Sequence, residues 1–431
     1  MADLIAQDCH EGLSHNGRFN FPIAMNTAAN PTVATSPRPW AADTHLPTAL
    51  LLNIGHAFDH MFLLIFATAV ATIAADFGLA RWESLMPYSV GAFFLFGIGS
   101  LPSGRLGDLW GRRVMMIIFF IGIGTAALLA SMANGPWQLA AGLMGIGLFA
   151  SIYHPVGIPM LVQNAARPGW TIGVNGLAGN LGIAAAALVT GLLVKYVGWR
   201  AAFAVPGAIA IACGIAFALL VPKEMEAPAK RKSKRLDLPP GVLARVFLVM
   251  TATAITSSLL FNFTTNGNGQ LLQERMRGII EDPATLGALL AVVYAAASLT
   301  QLVVGKLIDR YPLRRLYLSV VILQAPLFAV AALADGWAAY AVVLGFMILI
   351  FGAIPFTDAI IVRFVDDQMR SRVSGVRLAI SFGVSSLAVW LLGPIVKAAG
   401  FNMLLLLMAG IAVCTTLLVL LLPSHDPRQA G

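Results

Sequence analysis

The chain has 431 residues, 58% of them hydrophobic and only 11% charged, with 41 Gly, 23 Pro and a mean hydropathy of +0.81. A soluble domain is about a quarter charged and just under half apolar, so this composition excludes a soluble globular protein and indicates a chain solvated mainly by lipid. The net charge of +8 does not imply a nucleic-acid partner, because the basic residues fall between apolar runs.

Residues 1–44 are polar, contain Asp3, Asp8 and Glu11, and hold no apolar run long enough for a signal-peptide core, so they read as a disordered cytoplasmic tail. Met25, followed by a polar stretch with a proline, is an alternative initiator. Cys9 lies in this tail while Cys213 and Cys414 lie in apolar runs, a pattern that gives no disulfide framework.

A membrane-crossing helix needs about 20 mostly apolar residues. Twelve such spans are predicted in chain order at 47–74, 84–104, 113–133, 137–163, 172–194, 200–222, 242–264, 284–304, 315–334, 338–362, 374–396 and 401–422. The apolar runs are continuous and not alternating, which excludes a strand barrel. With both termini cytoplasmic, all but six of the 28 Lys and Arg residues fall on the cytoplasmic side, the six being Arg81, Lys195, Arg200, Arg275, Arg277 and Lys397. That asymmetry predicts a multi-pass protein of the cytoplasmic membrane with both ends inside. A basic linker, 223–241, separates an N-terminal bundle (45–222) from a C-terminal bundle (242–423), followed by a cytoplasmic tail at 424–431. Its Lys230-Arg231-Lys232-Ser233-Lys234-Arg235 run either enforces topology as a solvated loop or attracts anionic lipid head groups.

Gly104-Arg-Leu-Gly-Asp108-Leu-Trp-Gly111-Arg112-Arg113 follows the second span, and Gly305-Lys-Leu-Ile-Asp309-Arg-Tyr-Pro-Leu-Arg314-Arg315 follows the eighth, 201 residues later. The same loop after the second span of each half implies a duplicated six-helix unit, which is a transporter architecture. Glycine lets helix ends approach closely, aspartate accepts charge-assisted hydrogen bonds, and paired arginines can hold it or a neighbouring helix end. The first copy resembles the G-x-L-x-D-x-x-G-R-R signature of the major facilitator superfamily. The second departs from it by one inserted residue and by Pro312-Leu313 in place of the second glycine. The resemblance implies an all-α integral membrane fold of 12 transmembrane helices in two pseudo-symmetric bundles, a rocking alternating-access cycle, and a cavity lined by helices 1, 4, 7 and 10. It also implies a cytoplasmic gate made by the two loops together with Arg377 at the start of helix 11.

Ionisable residues inside spans cost about 2.5–3.5 kcal/mol each on insertion scales, so each is a functional candidate. Helix 1 carries Asn53, His56, Asp59 and His60, helix 4 carries Tyr153-His154-Pro155, and helix 10 carries Pro355-Phe-Thr-Asp358. His56, Asp59 and His60 are three and four residues apart and share one helix face. Histidine titrates near neutrality, so an imidazole beside a carboxyl group can load and unload a proton at physiological pH. These three are the predicted proton-coupling site, with protons as the coupling ion and no other cofactor. Pro155 frees a backbone carbonyl one turn earlier and predicts a broken helix 4 at mid-depth. His154, Asp358, Tyr153, Asn53, Asn262 and Asn266 are the candidate substrate contacts, and the Asn/Gly-rich end of helix 7 reads as a gate or an outer helix end. Arg377 either faces the pore, as an anion carrier would need, or neutralises Asp108 or Asp358.

The helix 1 and helix 4 motifs together resemble the fosmidomycin-resistance group of the superfamily, proton-coupled exporters. The glycine-rich stretch of helix 5, Gly176-Leu-Ala-Gly179-Asn180-Leu-Gly182, lacks the proline of the antiporter signature. A zinc hydrolase on His56-Ala-Phe-Asp59-His60 with His154, and a non-transporting receptor, are the rival readings. The expected function is export of a small organic anion or amphiphile by proton antiport, with uptake by symport as the alternative. The protein is expected to act as a monomer.

Overall fold

The computed structural model describes residues 46–163, 165, 168–223, 240–308, 310–364 and 367–423. The predicted tails, the 230–235 basic run and Asp309 lie outside the described residues, as do the side chains of Asp358, Ser374 and Gly375. Every described regular element is helical: α1 (Leu46–Asp76), α2 (Val90–Trp110), α3 (Arg112–Ser131), α4 (Pro136–Ala150), α5 (Ile158–Val162), α6 (Pro168–Tyr196), α7 (Trp199–Leu220), α8 (Pro240–Arg275), α9 (Pro283–Ile308), α10 (Leu313–Val321), α11 (Gln324–Ala331), α12 (Gly336–Phe364) and α13 (Asp367–Leu420). Two 3-10 turns, Trp82–Ser84 and Met86–Ser89, lead into α2, and a π-turn, Tyr153–Gly157, joins α4 to α5.

Eleven helical runs among the described residues are long and apolar enough to cross a membrane. One of them, Ala379–Leu420, has 42 residues, about twice the length a single crossing needs. Its helix α13 breaks at Gly400, where φ is 75° and only glycine sits without strain. α13 therefore makes two crossings, which brings the total to twelve. The fourth crossing is α4, the π-turn and α5 end to end, matching the proline-marked break, and the ninth is α10 and α11.

The end predicted for the seventh span needs correction. The asparagines and glycines after residue 264 do not unwind the backbone, and α8 stays helical to Arg275. Asn262 donates to the Ser258 carbonyl (2.9 Å), Thr265 to that of Phe261 (2.7 Å) and Asn266 to that of Asn262 (3.1 Å). Side chains able to compete with the helix bond back along it instead.

Small residues decide how closely the helices pack. A Cβ on Gly182 would collide with the Ala57 carbonyl, and one on Gly179 would stand 2.7 Å from the His56 ring, so α6 lies directly on α1. The two halves meet along α6 and α9, where a Cβ on Gly191 would be 2.7 Å from the Pro283 carbonyl and one on Gly287 2.5 Å from that of Ala187. They meet again along α2 and α13, where Gly97 faces Phe382. Close approach at small residues is how helices associate when lipid gives them no hydrophobic drive.

Candidate functional site

α1 and the π-turn bring His56, Asp59, His60 and His154 together. One ligand-type atom from each lies within 4.8 Å of the others. Asp59 is fully buried, its two carboxylate oxygens accept no hydrogen bond among the described residues, and Oδ2 is 3.4 Å from His154 Nε2. His56 Nδ1–H donates to the main-chain oxygen of Asn175 at 2.7 Å, because a carbonyl can only accept. That bond fixes the tautomer and leaves Nε2 as the ring's acceptor nitrogen, buried and without a hydrogen-bond partner among the described residues. The His56 ring stacks on Tyr153 at 4.7 Å and lies 5.0 Å from the His60 ring.

A polar brace holds this cluster. The Tyr153 hydroxyl donates to the Leu52 carbonyl (2.7 Å) and accepts from Asn175 Nδ2 (2.7 Å), which also donates to Asn53 Oδ1 (3.0 Å). Tyr153 and Asn53 thus belong to the support of the cluster. A tetrahedral zinc with bonds of ~2.0–2.1 Å would set its ligand atoms about 3.4 Å apart. The four side chains span a looser set than such a shell.

A cavity of about 220 Å³ lies beside the cluster. His60 is the one member of the four on its wall, so it joins the buried carboxyl group to the cavity. Phe96 of α2 and Phe382 of α13 pack 4.2 Å apart between the cavity and His154, whose ring is 6.1 and 5.9 Å from theirs. Of the residues singled out from sequence, Asn262 and Arg377 also line the cavity, while Asn266 is buried but is not among the lining residues. Phe93, Phe96, Ser257, Ser258, Thr357, Ser381, Phe382, Ser385 and Asn175 were not legible as site residues. The nearest signal was serine at i, i+4 (Ser381 and Ser385) beside Ser257-Ser258, too common in helices to mark a site.

On the face carrying the duplicated loops, Gly111 turns the chain between α2 and α3 at φ 89°. Arg113 caps the end of α7, donating from Nε to the Val221 carbonyl at 2.7 Å and from Nη2 to that of Ala218. Those carbonyls have no helical partner, and the cation also suits the negative end of the helix. Arg112 reaches Gln163 Oε1 at 3.0 Å. Asp108 is exposed, as is Arg315, while Arg314 and Gly305 are half-buried. A Cβ on Gly104 would touch Pro155 at 3.4 Å and one on Gly107 would meet Val156 at 3.0 Å, so the loop-bearing end of α2 rests on the π-turn that carries His154.

Twelve crossings in two halves around a central cavity, with a loop signature at the base, define a membrane carrier. The family model of the major facilitator superfamily matches residues 52–276 and 246–431, and the chain belongs to that family, whose members are transporters and not enzymes. The chain is 30% identical over 218 residues to the probable actinorhodin transporter of Streptomyces coelicolor, 49% of this chain and 36% of that one. It thus spans only about a third of that relative's length. It is 24% identical over 380 residues to the multidrug efflux pump Tap of Mycobacterium bovis, covering 84% of this chain and 83% of that one. The crystal structure of a D-xylose–proton symporter superposes with a TM-score of 0.70 at 12% identity, covering 88% of this chain and 98% of that one, a likeness of fold.

Proposed function

We propose that the protein is a proton-coupled, alternating-access carrier that exports a small organic anion or amphiphile across the cytoplasmic membrane, acting as a monomer with both termini inside. The observation that carries this reading is the buried Asp59 carboxyl group 3.4 Å from His154, with His60 leading from it to the cavity. A lone buried charge is costly, so the carboxyl group and the imidazoles beside it are suited to exchange a proton whenever the cavity changes sides. Phe96 and Phe382 come from different halves, so rocking the halves would uncover His154 to water. The paired loops, with Gly104, Asp108, Gly111, Arg112 and Arg113 in the first and Gly305, Asp309, Arg314 and Arg315 in the second, serve as cytoplasmic gates. The 230–235 run serves as a basic linker that enforces topology, with contact to anionic lipid head groups as the alternative.

Export is favoured by the likeness over most of the chain to a multidrug efflux pump, and by the motif likeness to the fosmidomycin-resistance group. The test is solute-driven proton movement in proteoliposomes with a small set of organic anions, phosphonates and cationic drugs. A pH change that a solute elicits in the wild type and that Asp59→Asn abolishes is the expected result, and its sign separates antiport from symport. Proton movement undiminished in Asp59→Asn would overturn the assignment of the coupling site.

A further inference from the structure

The Asp59 cluster has the donor set of a metal site, which the carrier reading does not use. His56 and His60 are four residues apart on α1, the spacing that puts two imidazoles on one side of a helix and lets them share a metal ion. Asp59 lies between them on the same face. One ligand-type atom from each of these three and from His154 lies within 4.8 Å of the others.

Two further observations point to a ligand. The His56 ring is held from behind, its Nδ1–H donating to the Asn175 main-chain oxygen at 2.7 Å. An imidazole that binds a metal through one nitrogen almost always donates its other N–H to a carbonyl or carboxylate, which fixes ring and tautomer. His56 and Asp59 are also buried, at 5% and 0% exposure, and neither His56 Nε2 nor either Asp59 oxygen has a hydrogen-bond partner among the described residues. Buried lone pairs of this kind are costly unless something occupies them.

The set is too wide for a closed tetrahedral shell but suits a six-coordinate ion, in which bonds of ~2.1 Å place trans ligand atoms about 4.2 Å apart. His60 stands on the wall of the central cavity, which opens the remaining positions to water. Imidazole nitrogen with one carboxylate oxygen suits the later first-row divalent metals, whereas Mg²⁺ and Ca²⁺ take oxygen ligands. The Asp59 carboxylate supplies the negative charge that offsets burial of the cation.

We propose that the cluster binds one divalent transition-metal ion of the Ni²⁺ or Co²⁺ kind, six-coordinate through His56 Nε2, an Asp59 oxygen and a His60 nitrogen, with water in its shell. The ion and a coupling proton use the same lone pairs, so the ion enters in place of the proton and blocks the carrier cycle. The block rests on the carrier reading above; the site itself does not.

The test uses the full chain in lipid nanodiscs, free of any polyhistidine tag and carrying His10→Ala, His15→Ala, His45→Ala and His425→Ala, which leaves His56, His60 and His154 as its histidines. Calorimetry should show one Ni²⁺ per chain, bound at least about 100-fold tighter than Mg²⁺. X-ray absorption of the bound ion should show six nitrogen and oxygen neighbours, imidazole among them. His56→Gln and Asp59→Asn should each weaken Ni²⁺ binding by at least about tenfold. Equal binding of Ni²⁺ and Mg²⁺, a four-coordinate shell, a shell without imidazole, or sulfur neighbours from the cysteines would each overturn the proposal. The spectrum of the parent chain decides the matter even if a cluster variant does not fold. Ni²⁺ bound in the cluster while solute-driven proton movement continues would sink the coupling role of Asp59, and the block with it, and leave the metal site standing. Asp59-dependent proton movement in a chain that binds no Ni²⁺ would do the reverse.

Discussion

His56 and Tyr153 divide the work of the buried cluster between them. His56 keeps a free Nε2 because Nδ1 is tied to the Asn175 carbonyl, whereas Tyr153 spends its hydroxyl on Leu52 and Asn175 and offers nothing to a solute. Tyr153→Phe keeps the ring on which His56 stacks and removes only the hydroxyl. It should lower stability by about 1 kcal/mol, the net worth of a buried hydrogen bond, and leave solute-driven proton flux in place. Thermal unfolding of the purified protein and the proteoliposome assay read the two effects separately, and loss of flux would put Tyr153 on the proton path. Asp59→Asn should behave in the opposite way, with stability held and flux gone. The spacing of His56, Asp59 and His60 made their shared face legible from sequence, because helical periodicity is local. Asn175 was not legible, since it lies 119 positions from His56 and only the packing of α6 on α1 brings it there.

Helix contacts explain why the glycine-rich stretch of the fifth crossing exists without the proline of an antiporter signature. Gly179 and Gly182 are where α6 touches α1, and Gly182 faces backbone that cannot yield. Gly182→Val should therefore separate the two helices and abolish folded protein, as judged by yield and monodispersity in detergent. Gly176, one turn earlier, has nothing within 4 Å of its would-be Cβ, so Gly176→Ala should be neutral or stabilising by ~0.5–1 kcal/mol through helix propensity. Similar damage from both changes would refute the contact as the reason for the glycines. At this scale the sequence was informative about which stretches are helical and less so about where they break. Pro155 announced the break in the fourth crossing. Pro326, which cannot bond back to Ile322, likewise fits the interruption between α10 and α11, yet hydropathy alone ran the ninth span straight through it. The long α8 was cut short because asparagine and glycine usually end helices, and here side-chain bonds to preceding carbonyls keep it going.

The two halves are tied together on the face opposite the duplicated loops. Lys195 Nζ at the end of α6 meets Asp282 Oδ1 before α9 at 2.9 Å, Trp82 stacks on Phe401 at 6.1 Å, and the Glu83 carbonyl abuts Gly393. The duplication of the loops was legible in the sequence, but these ties were not, because each joins residues from different halves with no shared motif. The Asp282 carboxyl group is pushed down to about 2 by the Lys195 ammonium and by Thr285. A depressed carboxyl pKa adds stability that is present above the usual carboxylate range and lost only as pH falls toward 2. The tie is therefore constant between pH 5 and 8 and contributes no pH dependence of its own in that window. Asp282→Asn should leave the midpoint of the pH–transport profile where it is while loosening this face. In a cysteine-free background carrying Thr265→Cys on the cavity wall, labelling by a membrane-impermeant thiol reagent from this side should rise in the variant. The pair is exposed, so in about 1 M salt, where the screening length falls to ~3 Å, wild type and variant should converge. Labelling indifferent to both mutation and salt would show that the pair does not hold this face closed and that the aromatic and glycine contacts alone do, and a shifted pH midpoint would show that the pair takes part in the pH dependence.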